Sequence, residues 1–254
     1  MSSTSDVGTT IDPSEVEKFT KIAEEWWDPA GKFKPLHKFN PVRLAYIRDQ
    51  VCHHFKRNPM DEAPLKDLRL IDVGCGGGLV AEPMARLGAA VTAIDAAERN
   101  IKTAMTHAGQ SGVEIDYRNT TVEDLVAAGE QPFDVVLNLE VVEHVADVSL
   151  FLKNSADLVA PGGMMILATI NRTLKALLLA KIGAEYVLQW LPMGTHDPKK
   201  FVKPREAEAV LGQGQMKIAA RAGVNYNPLT DKWQVTDNTA VNYMMVAKKD
   251  TAHG

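Results

Sequence analysis

The run Leu70-Ile71-Asp72-Val73-Gly74-Cys75-Gly76-Gly77-Gly78 constrains the fold more than any other stretch. An apolar segment ends in an acid, a glycine loop follows, and Leu79–Leu87 resumes at helical spacing before Gly88. Glycines let a backbone take positive φ and approach a ligand closely. A helix that opens directly after such a loop presents its N–H groups to the same ligand. The alternation continues downstream. Strands are predicted at Leu68–Val73, Ala90–Ile94, Val113–Tyr117, Phe133–Leu139 and Met164–Ile170, and helices at Leu79–Leu87, Ala96–Ala108 and Leu150–Val159. This order predicts an α/β fold with a mainly parallel sheet and helices on both faces. Two further strands near Ala219–Tyr226 and Val241–Lys248 have no clear helix between them, so a hairpin there puts one antiparallel strand into the sheet.

Upstream, residues 1–12 read as a disordered tail rich in Ser, Thr and Gly. Asp12-Pro13-Ser14-Glu15 is a helix start, with an N-cap, an N1 proline and a capping-box acid. Val16, Phe19, Ile22 and Trp26 follow at helical spacing, and Trp26-Trp27 reads as packing. Asn40-Pro41 predicts the start of a second helix. The domain reading is an N-terminal helical cap over 13–60 and a main domain over 61–249. An insertion after strand five covers about 171–217, too long for a plain crossover.

Composition narrows the class. The 254 residues carry 28 Lys and Arg against 32 Asp and Glu, a net charge of −4, which argues against a nucleic-acid binder. The longest uncharged run, Leu158–Asn171, has 14 residues and is broken by Pro161-Gly162-Gly163, short of the roughly 20 that a membrane span needs. The N-terminal residues lack a secretory pattern, and two cysteines make no disulfide framework, so a cytoplasmic protein is expected.

Ligands of such sheets bind at the carboxyl ends of the strands. Asp95 ends strand two, 21 residues after Gly74, where a carboxylate can accept from both hydroxyls of a ribose. A dinucleotide is one candidate, because Gly76-Gly78-Ala81 matches its glycine pattern. Asp72 points elsewhere: a carboxylate before the loop repels a pyrophosphate and suits an ammonium. Asp72-x-Gly74-x-Gly76 with Asp95 resembles the S-adenosylmethionine site of class I methyltransferases, whose Rossmann-like fold the predicted elements match. Cys75 reads as packing.

Strand four leads into Glu140-Val141-Val142-Glu143-His144. On a helix, positions i, i+3 and i+4 share a face, so Glu140, Glu143 and His144 can converge. Two carboxylates and an imidazole suit a divalent metal, or a general base for a phenol. The alternative is that the two acids favour a helix N-terminus and His144 is packed.

Phe33-Lys34-Pro35-Leu36-His37, Asn40-Pro41-Val42-Arg43-Leu44, Gly183-Ala184-Glu185-Tyr186, Gly194-Thr195-His196-Asp197 and Asn242-Tyr243-Met244 resemble the ubiquinone-biosynthesis O-methyltransferase family, as do the glycine loop and Glu143-His144-Val145. The resemblance spans about residues 13–249. It implies O-methylation of polyprenyl phenols and quinols: a polyprenyl catechol, and later 3-demethylubiquinol. It implies that Arg43 meets the cofactor carboxylate, Gly74 the methionine moiety, Asp95 the ribose and Leu139 the body of the cofactor, with Asp72 and Gly76 also in the cofactor site. It also implies that Glu140, Glu143 and His144 hold a divalent ion such as Mg2+, with Glu143 and His144 catalytic. The usual acid near the adenine has no match; Thr120-Thr121-Val122-Glu123 stands there, and no adenine residue is assigned. A ubiquinone-biosynthesis assembly is an implied partner.

Leu174, Leu177, Leu178, Ile182, Val187, Trp190 and Leu191 fall at near-helical spacing with lysines around them, as in an interfacial helix. A lid over the acceptor fits the same pattern. The net charge divides into +6 over 32–57, +5 over 172–205 and −15 elsewhere. Basic segments on an acidic chain suit one face turned to an anionic membrane surface, here the inner membrane. Two other readings are a cofactor-binding regulator and a methyltransferase of protein or nucleic acid. The acid–imidazole cluster argues against the first. The N-terminal block and the absence of an Asn-Pro-Pro-Tyr-type motif after strand four argue against the second.

Overall fold

In a computed structural model, residues 9–173, 200–227 and 229–251 are described. Helices α1 (Pro13–Lys21) and α2 (Lys34–His54) precede the sheet. The alternating region follows as β1 (Arg69–Val73), α3 (Ala81–Arg86), β2 (Ala90–Asp95), α4 (Glu98–Ser111), β3 (Asp116–Asn119), α5 (Val122–Ala127), β4 (Phe133–Leu139), α6 (Val148–Asp157) and β5 (Val159–Ile170). The C-terminal part is α7 (Pro204–Gln213), β6 (Met216–Asn227), β7 (Lys232–Thr236) and β8 (Asn242–Lys249).

The eight strands lie in the order β3-β2-β1-β4-β5-β8-β6-β7. The first five are parallel, and β8 enters antiparallel between β5 and β6. β8 is the expected antiparallel strand; the short β7 is an addition, paired antiparallel to the outer side of β6. Two cores form because the central strands are apolar on both faces, as parallel strands buried on both sides must be. Leu70, Val135, Leu137 and Ile166 pack on one side with α2 residues Ile47 and Val51. Ile71, Val136, Met165 and Tyr243 pack on the other with Phe151 of α6 and Leu211 of α7.

Several local expectations are corrected. The second helix starts at Lys34, not at Asn40, and Pro41 lies inside it. Asn40 is no cap, because its amide is committed elsewhere: Nδ2 donates to the Leu79 carbonyl and Oδ1 accepts from Arg43. Strand three starts at Asp116 rather than Val113, because Gly112 closes α4 in the left-handed conformation and the chain needs the intervening residues to return. The Pro-Gly-Gly expected to separate α6 from strand five lies inside β5, where the register with β4 shifts. α5, capped by Thr121, was not anticipated.

The tail ends earlier than predicted. Thr10 is buried, its hydroxyl donates to Glu123, and its carbonyl accepts from the Ala146 N–H. The far part of the 171–217 segment also belongs to the body: Phe201, Val202, Ala207 and Leu211 are buried. The expected interfacial or lid helix, Leu174–Leu191, lies outside the described residues, as do residues 1–8.

Candidate active site

The carboxyl ends of the strands open into one cavity of about 960 Å³ that runs along the sheet edge. Small-molecule sites span about 300–1,000 Å³, so the space suits a cofactor together with an acceptor. Its wall passes from Thr120 and Val122 after β3, through Asp95 and the glycine loop, to Leu139 and Glu140 after β4. It continues past Ile170 and Asn242 to Tyr226 and Trp233 on the added hairpin. Arg43, Asp72, Gly74, Gly76, Asp95, Leu139, Glu140, Glu143 and His144 therefore all line the same space.

The first half has the chemistry of a zwitterion site. Arg43 is 3% exposed and donates to Asn40 Oδ1. Burial lowers its pKa, while Glu140 and Asp72 nearby favour its charge. No carboxylate among the described residues lies within ion-pair distance of it. Asp72 is 2% exposed, its Oδ2 is buried without a hydrogen-bond partner, and burial pushes its carboxyl up to about 7. A guanidinium and a carboxyl left unmatched in one cavity fit the carboxylate and ammonium of an amino acid moiety.

Gly74 and Gly76 both have positive φ, 68° and 53°. A side chain at Gly74 would strike Val141, and one at Gly76 would strike the Trp26 ring. The Gly76 N–H donates to Asp95 Oδ2 at 3.0 Å. Asp95 Oδ1 accepts from the Ala97 N–H at 2.8 Å and from Asn100 Nδ2 at 3.2 Å. This carboxylate therefore shapes the loop, and with four lone-pair sites it keeps acceptor capacity for ribose hydroxyls.

The N-terminal cap closes on this half. Trp26 stacks on Phe33 at 3.9 Å and donates from Nε1 to Asn100. Trp27 donates to the Gly77 carbonyl at 2.8 Å and stacks on His107. The tryptophan pair packs as predicted, but against the cofactor loop itself. That placement joins residues about 50 and 75 positions apart, and no periodicity signals it.

The predicted metal triad does not assemble. Glu140 sits at φ 58°, outside any helix, and Val142–His144 form a single 3-10 turn. The α-helical geometry behind the i, i+3, i+4 convergence is thus missing. Glu140 and Glu143 do face the same space; burial first, and the charge of Glu143 second, pushes Glu140 up to about 8. Thr169 donates to Glu143 Oε2 at 2.8 Å. His144 turns away: its Nδ1 lies 3.1 Å from Glu15 Oε2 and its ring meets Phe19 edge-on. Among the described residues no group of three His, Cys, Asp or Glu is placed to hold a metal ion. Cys75 is buried and free, and burial pushes its thiol up, as suits a packing residue.

Lys200 donates to Asp12 Oδ2 at 2.8 Å and to Glu15 Oε1 at 3.1 Å. Glu15 thus joins α1, the turn carrying His144 and residue 200. The His144 hydrogen bond is the main cause of its pKa falling to about 2. Nothing in the sequence around Glu15 marks this role, since its capping-box position already accounts for an acid.

Comparison with known proteins fits this geometry. A methyltransferase-domain family profile matches residues 71–167. A protein of Brucella anthropi named ubiquinone biosynthesis O-methyltransferase is 59% identical over 95% of this chain and 97% of its own length. One of the same name from Maricaulis maris is 60% identical over 94% of each chain. The chain belongs to the ubiquinone biosynthesis O-methyltransferase family. Among solved structures, magnesium protoporphyrin IX methyltransferase from Synechocystis PCC 6803, with bound SAH, superposes with a TM-score of 0.57 at 18% identity, covering 91% of this chain and all of that one. The PH0226 protein of Pyrococcus horikoshii OT3 gives 0.61 at 13% identity, covering 92% and 99%. These last two likenesses establish the class I methyltransferase fold alone.

Proposed function

We propose that this protein transfers the methyl group of S-adenosylmethionine to a phenolic oxygen of polyprenyl catechols and quinols on the route to ubiquinone. The observation that carries the cofactor half is the buried, unmatched pair Arg43 and Asp72 beside the glycine loop. Arg43 takes the methionine carboxylate, Asp72 the ammonium and Asp95 the ribose hydroxyls, with Leu139 along the cofactor. When bound, S-adenosylmethionine supplies an electrophilic methyl on a cationic sulfur.

The acceptor lies in the other half of the cavity, between the Glu140–Glu143 pair and the apolar wall of Ile170, Val224 and Trp233. Its phenol, pKa about 10 when free, must lose a proton. The base is assigned to His144, which lines the cavity and whose Nδ1 meets Glu15 Oε2. The proton passes to the imidazole, the oxygen attacks the methyl in line, and the carbon–sulfur bond breaks to release S-adenosylhomocysteine. Glu143, steadied by Thr169, and Glu140 hold the acceptor hydroxyls. Most of the acceleration comes from positioning.

The acceptor's prenyl tail belongs in a bilayer, and the protein works at an anionic membrane surface from the cytoplasmic side. The exposed Lys34 and Lys56 on the basic 32–57 segment support this. No helix among the described residues is long and apolar enough to cross a membrane. Flotation with anionic liposomes at low salt tests the contact, and no co-flotation contradicts it. Turnover with labelled S-adenosylmethionine tests the activity. Label should enter a short-chain prenyl catechol and neither RNA nor peptide; label in RNA or peptide alone contradicts the proposal.

A further inference from the structure

Asn100 is 1% exposed, and both ends of its amide are in use. Oδ1 accepts from Trp26 Nε1 at 3.0 Å, and Nδ2 donates to Asp95 Oδ1 at 3.2 Å. An amide can present either end to a neighbour, so something must fix its direction. The indole N–H only donates and a carboxylate only accepts. Trp26 and Asp95 together therefore hold the carbonyl end of Asn100 toward the indole and its NH2 end toward the carboxylate. Reversed, the amide would face the carboxylate with an oxygen, and two buried acceptors would stand opposed.

Trp26 has no freedom to leave this arrangement on its own. The residue is 9% exposed, and its ring lies flat on Phe33 and covers the backbone of Gly76 and Gly77. Its carbonyl meets His37 Nε2 at 2.9 Å. The residues packed with it are Ala23, Phe33 and Leu79, a cluster separate from the two cores of the sheet. The apolar surface of the cap is thus spent on the rim of the cofactor loop.

We propose that Trp26 is a positioning residue for the cofactor ribose: through Asn100 it fixes the hydrogen bonds of Asp95, and so sets how strongly the ribose hydroxyls are recognised. The relay rests on Asp95 being the ribose ligand. Without the indole donor Asn100 Oδ1 is left a buried acceptor with no partner, the amide shifts to relieve it, and Asp95 loses a well-placed donor on the oxygen that must also accept from the ribose. The cap then contributes to cofactor selection as well as covering the site.

The test compares the Kd of S-adenosylhomocysteine with that of its 2′,3′-dideoxyribosyl analogue. Wild-type protein should prefer the natural ligand by about tenfold or more, the worth of one or two well-made hydrogen bonds. Trp26→Phe keeps the stacked ring and removes the donor. It should lower that preference about fivefold while changing the analogue's own Kd less than twofold. Asn100→Ala should lower the preference similarly, and Trp26→Phe added to it should change the ratio no further. A fall in affinity equal for both ligands would reduce Trp26 to a packing residue and overturn the proposal, as would an unchanged preference in Trp26→Phe. No preference in wild-type protein would instead remove Asp95 from the ribose, which is a separate failure. Far-ultraviolet circular dichroism confirms that each variant is folded.

Discussion

His144 Nδ1 stands 3.1 Å from Glu15 Oε2, although 129 positions separate the two residues. The contact docks α1 onto the turn that follows β4, at the wall of the cavity. A carboxylate held against an imidazole is an arrangement that orients the ring for proton transfer.

Removing either member should slow chemistry without loosening the cofactor. His144→Ala should lower kcat by about 100-fold, the lower end of what a general base contributes. Glu15→Gln should lower it by about tenfold or more. Isothermal titration with S-adenosylhomocysteine should return a Kd within about twofold of wild type for both. A Kd loss matching the kcat loss would assign the dyad to cap docking alone.

Arg43 predicts opposite signs for stability and binding. A buried guanidinium with no carboxylate in ion-pair contact costs folding free energy. Arg43→Met should therefore raise the Tm of the cofactor-free protein, and should weaken S-adenosylhomocysteine binding at least about tenfold through the lost charge-assisted bonds. A variant both less stable and unchanged in affinity would contradict the assignment. Thermal melts with and without ligand read both quantities.

Asp72 makes cofactor affinity pH-dependent. Burial raises its carboxyl to about 7, against about 3.9 for an unfolded aspartate. Between those values only the folded state holds the proton. Its contribution to stability is therefore full below about pH 4 and is lost as the pH rises through 7. The ligand ammonium binds the ionised form. The Kd for S-adenosylhomocysteine should thus fall by up to about tenfold per unit from pH 5.5 to 7, then level off. Asp72→Asn should bind weakly and without that slope; a parallel slope in the variant would assign the titration to another group.

Glu140 holds a left-handed backbone, φ 58°, that glycine adopts freely. Glu140→Gly should relieve strain of about 1 kcal/mol yet lose turnover, because the carboxyl facing Glu143 is gone. Denaturant melts and turnover on one preparation check the two halves of the statement. Full turnover would remove the carboxyl from the acceptor site.

The sheet was legible in the sequence where strands are apolar on both faces, as at β1, β2 and β4. It was least legible where local chemistry is mixed. β3, with Asp116 and Arg118 on a partly exposed edge, was displaced, and the short β7 carries too little apolar pattern to separate from a turn. Asp72, the glycines and Asp95 stand out in the sequence because they lie at fixed distances along the chain. The residues that contact the cavity lining do not: Glu15 beside His144, Thr169 beside Glu143, Asn40 beside Arg43 and Asn100 beside Asp95. All but Asn40 and Asn100 come from distant segments, and those two sit three and five residues from the groups they hold, where periodicity shows only a helix face. The triad of Glu140, Glu143 and His144 was misplaced for a related reason. Its spacing was read on an α-helix, and a left-handed residue followed by a 3-10 turn sends the imidazole to α1 instead.

The destination of the methyl group tests the account most directly. A polyprenyl catechol with a short prenyl chain is incubated with S-adenosylmethionine carrying a 13C-labelled methyl, and the product is read by NMR and mass spectrometry. The account predicts one labelled methoxy carbon on a ring oxygen per S-adenosylhomocysteine formed, with the yield collapsing in His144→Ala. Label on carbon, or S-adenosylhomocysteine released without an O-methylated catechol, would contradict it.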